Sequence, residues 1–194
     1  MSQTFNPLIT VYAEATPNPS SMKFVLNTML IDEEGRSVEF RKKEKALASP
    51  LALKLFDKSY VKGVFITSNF VTVSSDESVE WYEVIPELKE LIKMHIAAGE
   101  PVFTGEVFTE APPEVITGDL EQRIIALLDE YIRPAVEGDG GAIHFKSYDT
   151  GTVTVVLKGS CSGCPSSTLT LKSGIENLLR RMVPEVEEVI AESA

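Results

Sequence analysis

The sequence predicts an α+β protein made of two small α/β domains, and three observations carry that expectation. Hydrophobic runs with the period of a strand alternate along the chain with runs that have the period of a helix. The stretch 99–117, with Pro101, Pro112 and Pro113, suits neither period and reads as a linker. A length of 194 residues is enough for two small cores. The resulting boundaries are a first domain over 1–98, the linker over 99–117 and a second domain over 118–194. No internal repeat is evident.

The second domain has the clearer rhythm. Residues 118–132 place Leu120, Ile124, Leu127, Leu128 and Ile132 at helical spacing, and Pro134 is expected to stop that helix. Gly138, Gly140 and Gly141 then mark a turn. Residues 142–147 and 152–158 alternate as strands around Asp149-Thr150-Gly151, which is a hairpin signal. Beyond a cysteine loop, Leu169, Leu171, Ile175, Leu178, Leu179 and Met182 describe an amphipathic helix. It starts near Pro165, a residue tolerated in a first helical turn, and ends before Pro184. Residues 186–190 read as a last strand, so the order is helix, strand, strand, helix, strand.

The first domain is less regular. Residues 8–13 and 22–26 read as strands joined by Thr16-Pro17-Asn18-Pro19, where two prolines forbid a helix. Residues 37–40 give a third strand. A short helix runs from Pro50 to Phe56 with Ser49 as its N-cap. Residues 63–67 and 70–74 form a hairpin around Ser68-Asn69, and 79–97 make a second helix. Trp81, Phe56 and Phe65 read as core residues.

Composition narrows the function classes. The net charge is −11, with 11 basic and 16 acidic residues up to position 110 and 7 and 13 beyond it. An acidic chain with no basic tail argues against a nucleic-acid partner, because binding phosphates requires a Lys/Arg surface. No apolar run approaches the ~20 residues needed to cross a bilayer, so no membrane role is expected. The first seven residues have neither a secretory signal's apolar stretch nor a transit peptide's arginines. Two cysteines are too few for a disulfide framework and fit a reducing compartment, so the expected location is cytoplasmic. No Ser–His–Asp or Cys–His set is present, and the chain is not expected to be an enzyme.

The chemistry concentrates at Gly159-Ser160-Cys161-Ser162-Gly163-Cys164-Pro165. Two thiolates separated by two small residues can face one metal centre, and the following helix start would favour negative sulfur. A cluster or a structural zinc takes about four protein ligands, whereas this chain brings two cysteines. The other soft donors are His95, placed on a surface helix of the first domain, and His144, on a strand. Both read as solvated or hydrogen-bonded side chains, so the missing donors are expected from a second copy. The residues alone leave three uses open: an iron–sulfur cluster, a structural zinc dimer, or thiol–disulfide exchange. The Ser-Gly pair between the cysteines differs from a thioredoxin loop.

Residues 159–177 resemble the C-terminal domain of the NifU-type (Nfu) family, as do Arg133-Pro134-Ala135-Val136, Asp139-Gly140-Gly141 and Pro184-Glu185-Val186. Ala15-Thr16-Pro17-Asn18-Pro19, Met22-Lys23-Phe24, Ser49-Pro50-Leu51-Ala52 and Gly63-Val64-Phe65 are similar to its N-terminal domain. Where the family commonly has an acidic residue after Asp139-Gly140-Gly141, this chain has Ala142. The resemblance implies a scaffold or carrier that holds a [4Fe–4S] cluster, or a [2Fe–2S] form, in a homodimer through Cys161 and Cys164. It implies an upstream cluster scaffold as donor and apo iron–sulfur proteins as recipients. The first domain would then choose partners.

Three further features are read as structural. The glycines at 138–141 form a turn near the cysteine loop and lack the Lys-Ser/Thr of a phosphate loop. Their functional version would be a flexible backbone that tolerates cluster arrival. Arg180-Arg181 complements a helix C-terminus. Arg41-Lys42-Lys43-Glu44-Lys45 reads as a solvated face.

Overall fold

The computed structural model describes residues 8–32, 36–76, 79–105, 118–162 and 165–193. The chain divides into two compact units, Met1–Thr109 and Glu110–Ala194. It is α+β, with helices packed on antiparallel or mixed sheets.

In the first unit, β1 (Val11–Ala15), β2 (Ser21–Leu26), β3 (Ser37–Phe40), β4 (Val61–Thr67) and β5 (Phe70–Ser75) form one antiparallel sheet in the order β1-β2-β5-β4-β3. The tight β4–β5 hairpin turns at Ser68, which has φ +34°. Its two strands fill the centre of the sheet because β2 pairs with β5 and β3 with β4. Helices α1 (Pro50–Phe56) and α2 (Trp81–Ala97) cover one face. Leu51, Ala52, Leu55, Leu88 and Ile92 pack there on Phe24, Leu26, Val64, Ile66, Val71 and Val73. The Ser49 hydroxyl accepts from Ala52 N at 3.2 Å, so it is the expected N-cap. The same hydroxyl donates to the Val102 carbonyl at 2.8 Å. Val102 and Phe103 pack against this core, and Thr104 N donates to the Ala48 carbonyl. The remainder of the expected linker, 106–117, lies outside the described residues.

Phe65 is buried as expected, but strand alternation turns it away from Val64 and Ile66 toward the face opposite the helices, beside Phe70. Trp81 and Phe56 are partly buried against the helix-side core, and the indole of Trp81 donates to the Pro19 carbonyl at 2.8 Å. The basic run 41–45 is exposed, with Arg41 near Glu39 and Lys43 paired to Asp57.

In the second unit, α3 (Asp119–Leu127) does not stop at Pro134. A π-helical turn, Leu128–Ile132, leads into α4 (Arg133–Gly138). Arg133 N reaches back to the Leu128 carbonyl, and Pro134 falls in the first turn of the new segment, where its missing N–H is tolerated. Strands β6 (Gly141–Asp149) and β7 (Thr152–Gly159) pair antiparallel around Thr150 (φ +42°) and Gly151 (φ +91°). Two consecutive positive φ values suit a tight hairpin. Helix α5 (Pro165–Met182) carries the chain back so that β8 (Glu188–Ser193) runs parallel to β7. Ile124, Leu127, Val136, Ile143, Val153, Val155, Leu157, Ile175, Leu179 and Val189 make the core. Strand β8 lies two residues later than the apolar pattern predicts, because its pairing is set by β7.

Candidate metal centre

The hairpin β6–β7 brings the two ends of the second unit's signature together. Gly141 opens β6 and pairs with Gly159, the last residue of β7, so the turn 139–141 sits beside the loop that begins at Ser160. A 3₁₀ turn, Ser160–Ser162, carries Cys161. Ser160 N donates to the Gly140 carbonyl at 3.2 Å, and the Ser160 hydroxyl donates to the Asp139 carbonyl. That hydroxyl is also 3.7 Å from the Cys161 sulfur. The Ser162 hydroxyl caps the Gly159 carbonyl at 2.8 Å, and the Ser193 hydroxyl, at the end of β8, donates to the Ser162 carbonyl at 3.0 Å. The first half of the loop is therefore tied on both sides.

Cys161 is 5% exposed and belongs to the core of its unit. Burial pushes its thiol up, the Asp139 charge adds to the rise, and the Ser160 hydroxyl opposes it. The Cys161 sulfur is desolvated, and α5 begins four residues further on, at Pro165. Cys164 and Gly163 lie outside the described residues.

His95 is not on a solvated helix face. Its side chain is fully enclosed, with Nε2 3.0 Å from the Pro101 carbonyl and Nδ1 3.5 Å from Glu100. Burial lowers its pKa, so the neutral imidazole donates through Nε2. The apolar stripe of α2 that holds Leu88 and Ile92 also carries His95 inward, three residues beyond Ile92. His144 is half-buried on the face of β6 away from Ile143 and Phe145. Burial, then Lys158 and Arg133, hold its pKa down to about 4 against the pull of Asp129. Among the described residues no three His, Cys, Asp or Glu side chains converge to hold a metal. None of the described helices is long and apolar enough to cross a membrane. Sequence reasoning placed the glycines at 138–141 near the cysteine loop but missed Ser193 and the hydrogen bonds of Ser160 there; serine is too common to signal such roles without its partners.

The second unit is an α+β fold in which the sequence sets a Cys-x-x-Cys between a strand and a helix, an arrangement used both by metal sites and by dithiol redox proteins. Family models identify it further: one described as the scaffold protein Nfu/NifU N-terminal domain matches residues 11–99, and a NifU-like domain matches 124–190. The NifU-like protein of Schizosaccharomyces pombe is 36% identical over 188 residues, covering 94% of this chain and 72% of that protein. The mitochondrial NFU1 iron–sulfur cluster scaffold homolog of Drosophila willistoni is 41% identical over 181 residues, or 92% of this chain. The chain belongs to the Nfu/NifU scaffold family.

This chain spans 62% of the length of the D. willistoni relative and 64% of the one from Drosophila persimilis. A solution NMR structure of a NifU-like protein from Saccharomyces cerevisiae is 27% identical, covering 52% of this chain and 89% of that one, with a TM-score of 0.47. The cytoplasmic expectation is corrected by these matches, since the Drosophila relatives are named mitochondrial. Cellular address is read by receptors from a short signal and is not imposed by the fold, and a low cysteine count reports redox state rather than compartment.

Proposed function

We propose that this protein is an iron–sulfur cluster scaffold and carrier that binds a [4Fe–4S] cluster between two copies and transfers it to apo-proteins. Cys161 and Cys164 of each copy would supply the four thiolates. Residues 118–194 would form the cluster-binding domain, and the first domain, with the packed segment 102–104 included, would choose partners. The reading rests on one observation: a two-cysteine motif in a NifU-like domain whose described residues offer no third and fourth donor. Family membership favours cluster cargo over zinc or disulfide exchange. The cluster is cargo, and its transfer is ligand exchange with no covalent turnover of a substrate. A client with a more enclosed cysteine set would draw it away.

Anaerobic reconstitution with iron and sulfide tests this. The expected product is a dimer with brown absorption and about four irons per pair of chains, the content of one cubane. A strictly monomeric protein with a full cluster, or one that stays colourless, would overturn the proposal. Zinc in anaerobically purified material would favour the structural-metal reading.

A further inference from the structure

The glycine turn at 138–141, a structural turn by its sequence, has a more specific place in the fold. A Cβ built on Gly141 would lie 2.7 Å from the Lys158 carbonyl oxygen, 2.8 Å from the Cys161 sulfur and 3.2 Å from the Cys161 Cβ. No side chain fits there, because the sulfur occupies the space that a methyl group would fill. Three residues earlier, Gly138 has nothing within 4 Å of such a Cβ. The two glycines therefore differ in kind: one has open space, the other receives a sulfur.

The loop is fixed to this seat from both sides. Ser160, 2% exposed, bonds through N to Gly140 and through its hydroxyl to Asp139. The Ser193 hydroxyl, on the terminal strand, holds the Ser162 carbonyl beyond the cysteine. A donor to a cluster shared between two copies must present its sulfur in a fixed direction, because a misdirected donor leaves the cluster short of a bond.

We propose that Gly141, Ser160 and Ser193 are positioning residues for the Cys161 sulfur. Gly141 forms its seat, Ser160 locks the seat to the loop, and Ser193 ties the loop to β8. This rests on the reading of Cys161 as a cluster ligand, so the test has one arm that needs no cluster.

In that arm, iodoacetamide alkylation of Cys161 is followed by mass spectrometry in the full chain carrying Cys164→Ser. Ser193→Ala is expected to raise the alkylation rate about fivefold, the factor that one lost hydrogen bond produces, and Ser160→Ala by less, since its hydroxyl also contacts the sulfur. Ser193→Thr, which keeps the hydroxyl, restores the original rate, and Gly138→Ala leaves it unchanged. Gly141→Ala gives the largest acceleration.

In the second arm, chains with both cysteines are reconstituted and challenged with an iron chelator. Ser160→Ala and Ser193→Ala lose cluster about fivefold faster, with altered visible circular dichroism, while their far-ultraviolet spectra match the parent. If Gly141→Ala fails to fold, the two serine variants decide. Folded Ser160→Ala and Ser193→Ala with parental alkylation and parental cluster loss would overturn the proposal. A parent chain that assembles no cluster would instead sink the proposed function, while the alkylation arm still tests the seat.

Discussion

The two units bury chemically versatile side chains in different surroundings. In the first, His95 is fully enclosed, bonded to the Pro101 carbonyl and set beside Glu100, which Lys54 clamps at 2.6 and 2.7 Å. Its partners are a backbone carbonyl and an ion pair, and together they fasten the end of α2 to the segment that follows. In the second, Cys161 is almost as buried but faces a glycine and is framed by serines that bind backbone carbonyls. Burial by itself therefore does not separate a structural group from a proposed ligand. The surroundings do: His95 is consumed in fastening, whereas the groups around Cys161 orient the loop that carries it.

The largest expected effect comes from removing a donor. Cys161→Ala or Cys164→Ala should bring iron retained after reconstitution to background, while the far-ultraviolet circular dichroism spectrum matches the parent. Full iron in either variant would end the comparison.

Leu88→Ala attacks the other unit. It is fully buried between α2 and the sheet, so its loss should cost about 2–5 kcal/mol in denaturant unfolding followed by Trp81 fluorescence. Iron per folded chain should not change. A matching loss of iron would show that the first unit supports the site.

Ser49→Ala removes the cap of α1 and the bond to Val102, with an expected cost of about 1–2 kcal/mol by the same fluorescence measurement. A neutral result would mean that the segment 102–104 is held by its packing and the Thr104–Ala48 hydrogen bond without help from Ser49.

The remaining effect is pH dependence in the second unit. His144 has a pKa of about 4 in the fold against 6.5 when unperturbed, so the unfolded chain binds more protons between these values. Its contribution to stability is complete above 6.5 and lost as pH falls toward 4. Thermal melts of residues 118–194 at pH 7 and pH 4.5 should show this decline, and His144→Gln should flatten it. An undiminished slope in that variant would place the proton uptake elsewhere.

Much of the architecture was legible from the sequence because its signals are local. The Ser49 cap, the Asp149-Thr150-Gly151 hairpin and the helix after Pro165 follow from side-chain period and backbone preference over a few residues. Pro134 misled because its effect depends on a π turn in the preceding residues, which re-registers the helix around the missing N–H. His95 misled because one polar residue in an apolar stripe can be satisfied by a carbonyl six positions later.

The sequence by itself determined the elements, their order and the cysteine motif that marks the family, since each depends on neighbours within a turn or two. Only the tertiary structure decided that β5 lies between β2 and β4, that β8 runs parallel to β7, and that the Cys161 sulfur rests on Gly141. Those outcomes depend on hydrogen bonds and packing between residues far apart in the chain, which no local pattern encodes.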